Sequence, residues 1–109
     1  MPRGRVVGGL PYRARIYINS QVLLPASLVR VLSIEWARYA DVTIRHGDRV
    51  ITLSGVLLLR TKHTASRQFT IPREVRDKYG IKPLDEVEIT NIKPISMREL
   101  REEHQVIHH

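Results

Sequence analysis

At 109 residues, with 42% hydrophobic and 27% charged residues, the chain has the makings of a folded domain, or of two small modules sharing one core, and not of a disordered polymer. It has no cysteine, which excludes disulfides, thiolate zinc sites and cysteine nucleophiles, and no apolar run reaches the roughly 18 residues that a bilayer-spanning helix needs. The net charge of +7 favours phosphate polyanions or anionic lipid surfaces as partners, and with no apolar segment of signal-peptide length at the start, a cytoplasmic protein is expected.

In chain order, residues 1–12 read as a flexible basic arm, with Arg3 and Arg5 set among Gly4, Gly8 and Gly9. A β-like segment runs from Arg13 to Ile18 and a short strand from Val22 to Leu24, after which Pro25 opens a helix bearing Leu28, Val31 and Leu32. Ser33 closes that helix where glycine would serve better. A strand from Asp41 to Ile44 leads through a hairpin turn at His46–Arg49 into Val50–Leu53, and a further β-like segment spans Gly55 to Lys62.

Gln68–Ile71 then alternates as a strand, and Pro72 stands where its fixed φ and missing N–H suit the first turn of a helix. Glu74 complements the positive end of this helix, Val75 and Tyr79 share one face, and Lys78 with Gly80 closes it, the glycine supplying a left-handed cap. Glu86–Thr90 is the next strand. Residues 94–109 form a tail in which Met97, Leu100 and Val106 suggest a short, fraying amphipathic helix.

An internal repeat organises these elements. With an offset of 47, Gln21–Pro25 falls on Gln68–Pro72 without a gap, and the register continues through Leu28 on Val75, Leu32 on Tyr79, Ser33 on Gly80, Ile34 on Ile81, Val42 on Ile89 and Thr43 on Thr90. A period of this kind marks a supersecondary unit that needs its sibling to bury an apolar face. The chain is therefore expected to be an intrachain pseudo-dimer, repeat one covering 13–54 and repeat two 55–93.

Charge is uneven along the chain. Residues 1–73 hold twelve Lys and Arg against three acids, whereas residues 74–109 hold six against eight, so the basic surface is expected on the N-terminal two thirds. Fourteen of the eighteen cations are arginine, whose planar fork matches phosphate oxygens and the edge of guanine.

The stretch from Ser66 to Ile89, with Phe69, Ile71, Pro72, Val75, Arg76, Tyr79, Gly80, Ile81 and Asp85 at its key positions, closely resembles the SpoVT-AbrB signature G-x-Φ-x-Φ-P-x-x-Φ-R-x-x-Φ-G-I-x-x-G-D-x-Φ. Arg67 and Leu84 replace two of its glycines. Residues 19–44 match more loosely, with Ser20 and Ser33 at glycine positions and Glu35–Ala40 in place of the usual tail. The resemblance implies a mainly β fold with short helices, a swapped-hairpin AbrB-type β-barrel built from both halves of one chain over residues 13–93. It also implies double-stranded DNA as the partner and a role in transcription or in chromatin, which would associate the protein with the nucleoid.

Carried onto this chain, the family's DNA-contacting positions become Arg13, Arg15, Arg60, Lys62 and Arg67 near the strands and Arg30, Arg73 and Arg76 near the helices. Arg3 and Arg5 would extend the contact as an arm. A homodimer is a further candidate assembly. Two other functions compete: an antitoxin of the MazE or VapB type whose C-terminal tail binds a toxin protein, and an oligomeric scaffold in which the arginines are merely solvated. The aromatic residues Tyr12, Tyr17, Trp36, Tyr39 and Phe69 read as core or interface rather than as stacking platforms.

Nothing in the sequence asks for catalysis or a cofactor. The histidines lack metal-ligand spacing, no glycine-rich phosphate loop follows a strand, and no serine sits in a nucleophile elbow.

Overall fold

A computed structural model describes residues 9–61 and 64–96. Seven strands and two helices follow in the order β1 (Tyr12–Arg15), β2 (Gln21–Leu24), α1 (Ala26–Val31), β3 (Tyr39–His46), β4 (Arg49–Leu57), β5 (Leu59–Arg60), β6 (Arg67–Thr70), α2 (Arg73–Tyr79) and β7 (Glu86–Ile95). The protein is mainly β. No helix among the described residues is long and apolar enough to cross a membrane.

The strands do not close into one barrel, which corrects that part of the expectation. They form two antiparallel sheets, a four-stranded one in the order β1-β7-β3-β4 and a three-stranded one in the order β2-β6-β5. The separation originates in the turn after β1. Ser20 donates from its backbone to the Tyr17 carbonyl at 2.9 Å, and Ser20 itself has φ 66°, so the chain swings off the first sheet before β2 begins. A second crossing occurs at Leu58, whose N–H is held by the Arg38 carbonyl at 2.8 Å between β4 and β5.

Pairing within the small sheet is informative about the repeat. In the β2–β6 ladder Val22 faces Phe69, flanked by Gln21 opposite Thr70 and Leu23 opposite Gln68. Val22 and Phe69 are 47 positions apart, the offset of the repeat, so equivalent residues of the two copies meet at the centre of the ladder. Between β3 and β7 the register is displaced from this offset, Thr43 facing Asn91, but the Thr90 hydroxyl still donates to the carbonyl of Thr43, 47 positions away, at 3.3 Å.

One cluster of buried side chains fills the space between the sheets and helices. It draws on Val22, Leu24, Leu28 and Val29 from the first copy, Phe69, Ile71, Ile81, Val87 and Ile89 from the second, and Ile51, Leu53 and Val56 from β4. Each strand contributes by alternation: in β3 Ala40, Val42 and Ile44 point inward, while Asp41 and Thr43 are only half-buried and Arg45 is exposed.

Local differences from the sequence reading have physical causes. The expected break at Gly55 is instead a bulge inside one continuous β4: the glycine takes φ 61°, its N–H donates to the Asp41 carboxylate at 2.8 Å, and the register shifts between Ala40 and Val42 opposite. Strand β7 runs on to Ile95, past the expected end at Thr90. Pro94 is tolerated there because the β1 ladder stops at Ile89, leaving that side of β7 without a strand whose carbonyls would need an N–H. The helix expected in the tail lies outside the described residues from 97 onward.

The residues that stand where the signature has glycine are equally telling. Gly80 caps α2 at φ 66°, as expected, and its equivalent Ser33 takes φ 55° after α1. Ser20, Ser33 and Leu84 are the non-glycine residues with positive φ among those described, and all three occupy glycine positions of the repeated signature. The left-handed backbone is thus imposed by the fold on residues that resist it.

Two outcomes follow. Phe69, fully buried at the centre of the β2–β6 ladder, should lose about 3–5 kcal/mol of unfolding free energy as Phe69→Ala, read from urea midpoints. Leu84→Gly should gain about 0.5–1 kcal/mol, because relief of the left-handed conformation outweighs the extra unfolded-state entropy and the side chain is 58% exposed.

Candidate nucleic-acid interface

On the large sheet the arginines of β1 and β3 are not free of acids. Strand β7 inserts between β1 and β3, so the acids of the C-terminal third lie directly beside the arginines of the N-terminal part. Glu86 holds both Arg13, at 3.8 Å, and Arg15, at 3.2 Å, and Glu88 holds Arg45 at 3.2 Å. The outer face of the large sheet therefore carries alternating charge across its rungs, with Arg13 opposite Glu88 in register and Arg45 opposite it on the far side. These pairs are largely exposed, so each is worth little to stability, yet every guanidinium in the row has a competing anion at hand.

The other expected contact residues fall into three groups. Arg67 and Arg76 belong to the interior. Arg67 is 6% exposed and donates from Nη1 to the carbonyls of Ala65 and Ser66, at 2.6 and 3.1 Å, and from Nη2 to that of Glu35 at 2.9 Å. Arg76 is half-buried and ties α2 to the first copy, its Nε donating to the Ile71 carbonyl at 3.0 Å and its Nη1 to Ser20 Oγ at 2.9 Å. The neighbouring acid Asp77 is reached by Arg73, at 3.7 Å.

Arg30, Arg60 and Arg73 are exposed. Arg30 lies in the last turn of α1, and Arg60 lies on β5 with its Nε directed to the Thr64 carbonyl at 3.4 Å. Neither meets a carboxylate among the described residues. Arg3, Arg5 and Lys62 lie outside the described residues.

Distance also separates the set. Arg13 and Arg15 flank the start of β7 at Glu86, whereas Arg60 follows β4 by three residues at the opposite end, where Tyr39 stands between Leu57 and Ile95. A ten-residue strand spans about 33 Å, so Arg13 and Arg15 lie at one end of the large sheet and Arg60, on β5 of the small sheet, lies beyond its other end.

The end that holds Arg60 contains a groove of about 480 Å³, lined by Glu35, Trp36, Arg38, Tyr39, Leu57, Leu59, Arg60 and Arg67 among others. Its wall is the loop between α1 and β3, pinned at both ends by buried Ile34 and Ala37, whose N–H meets the Ile34 carbonyl at 3.0 Å. The two residues between them face outward, and the Trp36 ring is 60% exposed. Sequence reasoning takes Trp36 as core or interface, of which its exposure excludes the core, and passes over Arg38. The signal that could have found them is the tract Glu35–Ala40 itself, where the first copy departs most from the second.

A different arrangement marks the other end. His46 Nε2 meets Asp85 Oδ2 at 2.9 Å, and the same oxygen accepts the Lys82 N–H at 2.9 Å. That backbone donor first, and the His46 contact second, hold the Asp85 carboxyl below the usual carboxylate range. Tyr79 beside it packs between two cations, with Arg49 5.7 Å and Lys78 5.5 Å from its ring centre. His46, which stands alone in the sequence, is thus part of the turn that orders the β3–β4 hairpin against β7.

No protein-family model, curated protein or solved structure matches the chain.

A carboxyl whose pKa is lowered by folding stabilises the protein above its unfolded pKa and loses that contribution as pH falls through the folded value. Asp85→Asn should accordingly be less stable than the parent near neutral pH. The gap between their urea midpoints should close on acidification below the ordinary carboxylate range, and a gap that persisted there would mean the carboxylate charge is not the cause.

Proposed function

We propose that the chain is a double-stranded DNA-binding protein, a transcriptional regulator or chromatin-associated factor, built as a SpoVT-AbrB-like pair of interlocked halves within one chain. The meeting of equivalent residues at Val22–Phe69 and Thr43–Thr90 supports the paired halves. The positive φ of Ser20, Ser33 and Leu84 at signature glycine positions supports the kinship.

The observation that carries the DNA reading is the residue of uncompensated charge. Arg30, Arg38 and Arg60 are exposed and without a carboxylate partner among the described residues, as is Arg49 at the hairpin end of β4, in a chain of net charge +7. Exposed guanidinium groups of this kind contact phosphates by releasing condensed counterions. Of these arginines, Arg38 and Arg60 line one groove and form the centre of the interface, with Arg30 as a further contact; Arg73, at the start of α2, keeps one exposed i,i+4 partner, Asp77. Arg13 and Arg15 contribute less, because a phosphate must displace Glu86 to reach them.

Binding of a labelled 20-base-pair duplex across a salt series tests this. Affinity should fall linearly on a log–log plot, and the triple variant Arg30→Ser, Arg38→Ser, Arg60→Ser should flatten the slope by roughly 2.7, at about 0.9 for each phosphate that the variant no longer neutralises. Arg13→Ser with Arg15→Ser should flatten it by less. A parent protein that fails to bind duplex at low salt, or whose affinity ignores salt, overturns the reading in favour of a scaffold.

A further inference from the structure

We propose that the groove beside Trp36 holds one unstacked nucleotide of a single-stranded nucleic acid, its base against the indole and its phosphate on Arg38 and Arg60. This rests on the nucleic-acid reading above and adds to it a second mode of binding, for unpaired strand.

Four observations converge on that occupant. Trp36 is presented on a loop fixed by the buried residues Ile34 and Ala37, which leaves a large flat ring exposed where the Phe69 ring of the core is enclosed. Every base has a π-face, so such a ring accepts any of them. The groove's volume of about 480 Å³ lies within the range of roughly 300–1,000 Å³ usual for ligand clefts, ample for a base and sugar.

Charge supplies the other half of the fit. Arg38, Arg60 and Arg67 line the groove against one acid, Glu35. Arg67 is a buried cation whose acceptors are three backbone carbonyls, with no carboxylate within ion-pair distance among the described residues. A buried charge without a counter-charge is costly, and an anion entering the groove would supply one.

The groove's lining is not repeated in the other copy, where Lys82 and Pro83 stand at the places of Glu35 and Trp36. Arg67 Nη2 donates to the Glu35 carbonyl, so the residue that departs from the repeat in β6 fixes the loop that departs from it after α1. At the equivalent place in the other copy stands Ser20, which accepts a hydrogen bond from Arg76. Two coordinated departures from the repeat meet at one site, and they leave an aromatic ring and three guanidinium groups together.

Trp36 is the single tryptophan of the chain, so its fluorescence reports on the groove alone. The full-length protein is titrated with oligothymidylate, oligouridylate, a hairpin-closed duplex without free ends, and a glutamate-rich peptide of similar charge. Quenching by either single strand, with little from the closed duplex or the peptide, supports the proposal, and the stronger of the two strands identifies DNA or RNA as the source. Trp36→Leu should then weaken single-strand binding about tenfold by anisotropy, consistent with the loss of one stacked base, while leaving duplex binding unchanged.

Duplex binding by anisotropy with no quenching by any single strand overturns this inference and leaves the duplex reading standing. Binding of no nucleic acid at all overturns both. Quenching by the peptide equal to that by the oligonucleotides overturns it in favour of an acidic protein segment as the occupant.

Discussion

The contact on which the rest of the structure depends is the antiparallel ladder between β2 and β6, with Val22 facing Phe69 at its centre. The helices of the two copies have only six and seven residues, too short to be stable without packing. Pairing the two strands across equivalent residues puts Val22, Leu24, Phe69 and Ile71 into one enclosed cluster. Each strand of this ladder leads through a proline into a helix, and in the other sheet β7 lies between β1 and β3.

That position of β7 governs the electrostatics. A sequence with its acids gathered in the final third would present a basic body and an acidic tail if its segments stayed apart. Because β7 is a central strand, Glu86 and Glu88 are delivered into a row of arginines and neutralise it. Arg38 and Arg60 stay without a carboxylate partner among the described residues at the end of the sheet where Tyr39, Leu57 and Ile95 align and the chain crosses to β5, and Arg49 and Lys78 do so around Tyr79 at the hairpin end. The end at β5 holds the exposed indole of Trp36, so its surface of unmatched guanidinium groups is also one with an aromatic platform.

Much of the fold is legible in the sequence. The punctuation of Pro25, Pro72 and Gly80 places both helices, the offset of 47 finds the residues that meet at the centre of the β2–β6 ladder, and the His46–Arg49 turn is a hairpin as read. What local pattern does not reveal is pairing partnership: the bulge that keeps β4 continuous through Gly55 depends on Asp41 across the ladder, and the extension of β7 through Pro94 depends on β1 ending early. The site is less legible for the same reason. Arg67 reads as a surface cation from its neighbours in sequence, and only the three-dimensional position of the Glu35 carbonyl explains its burial. Trp36 reads as core or interface from its sequence, and the loop anchors Ile34 and Ala37 leave it facing outward.

The central claim is that DNA meets the chain at its unpaired arginines and not along the arginine-rich outer sheet. Amide hydrogen exchange measured with and without duplex locates the contact directly. Slowed exchange confined to residues 30–39 and 57–61 is the predicted result. Slowing confined to residues 12–15 and 86–88, with the first two segments unchanged, would contradict the account.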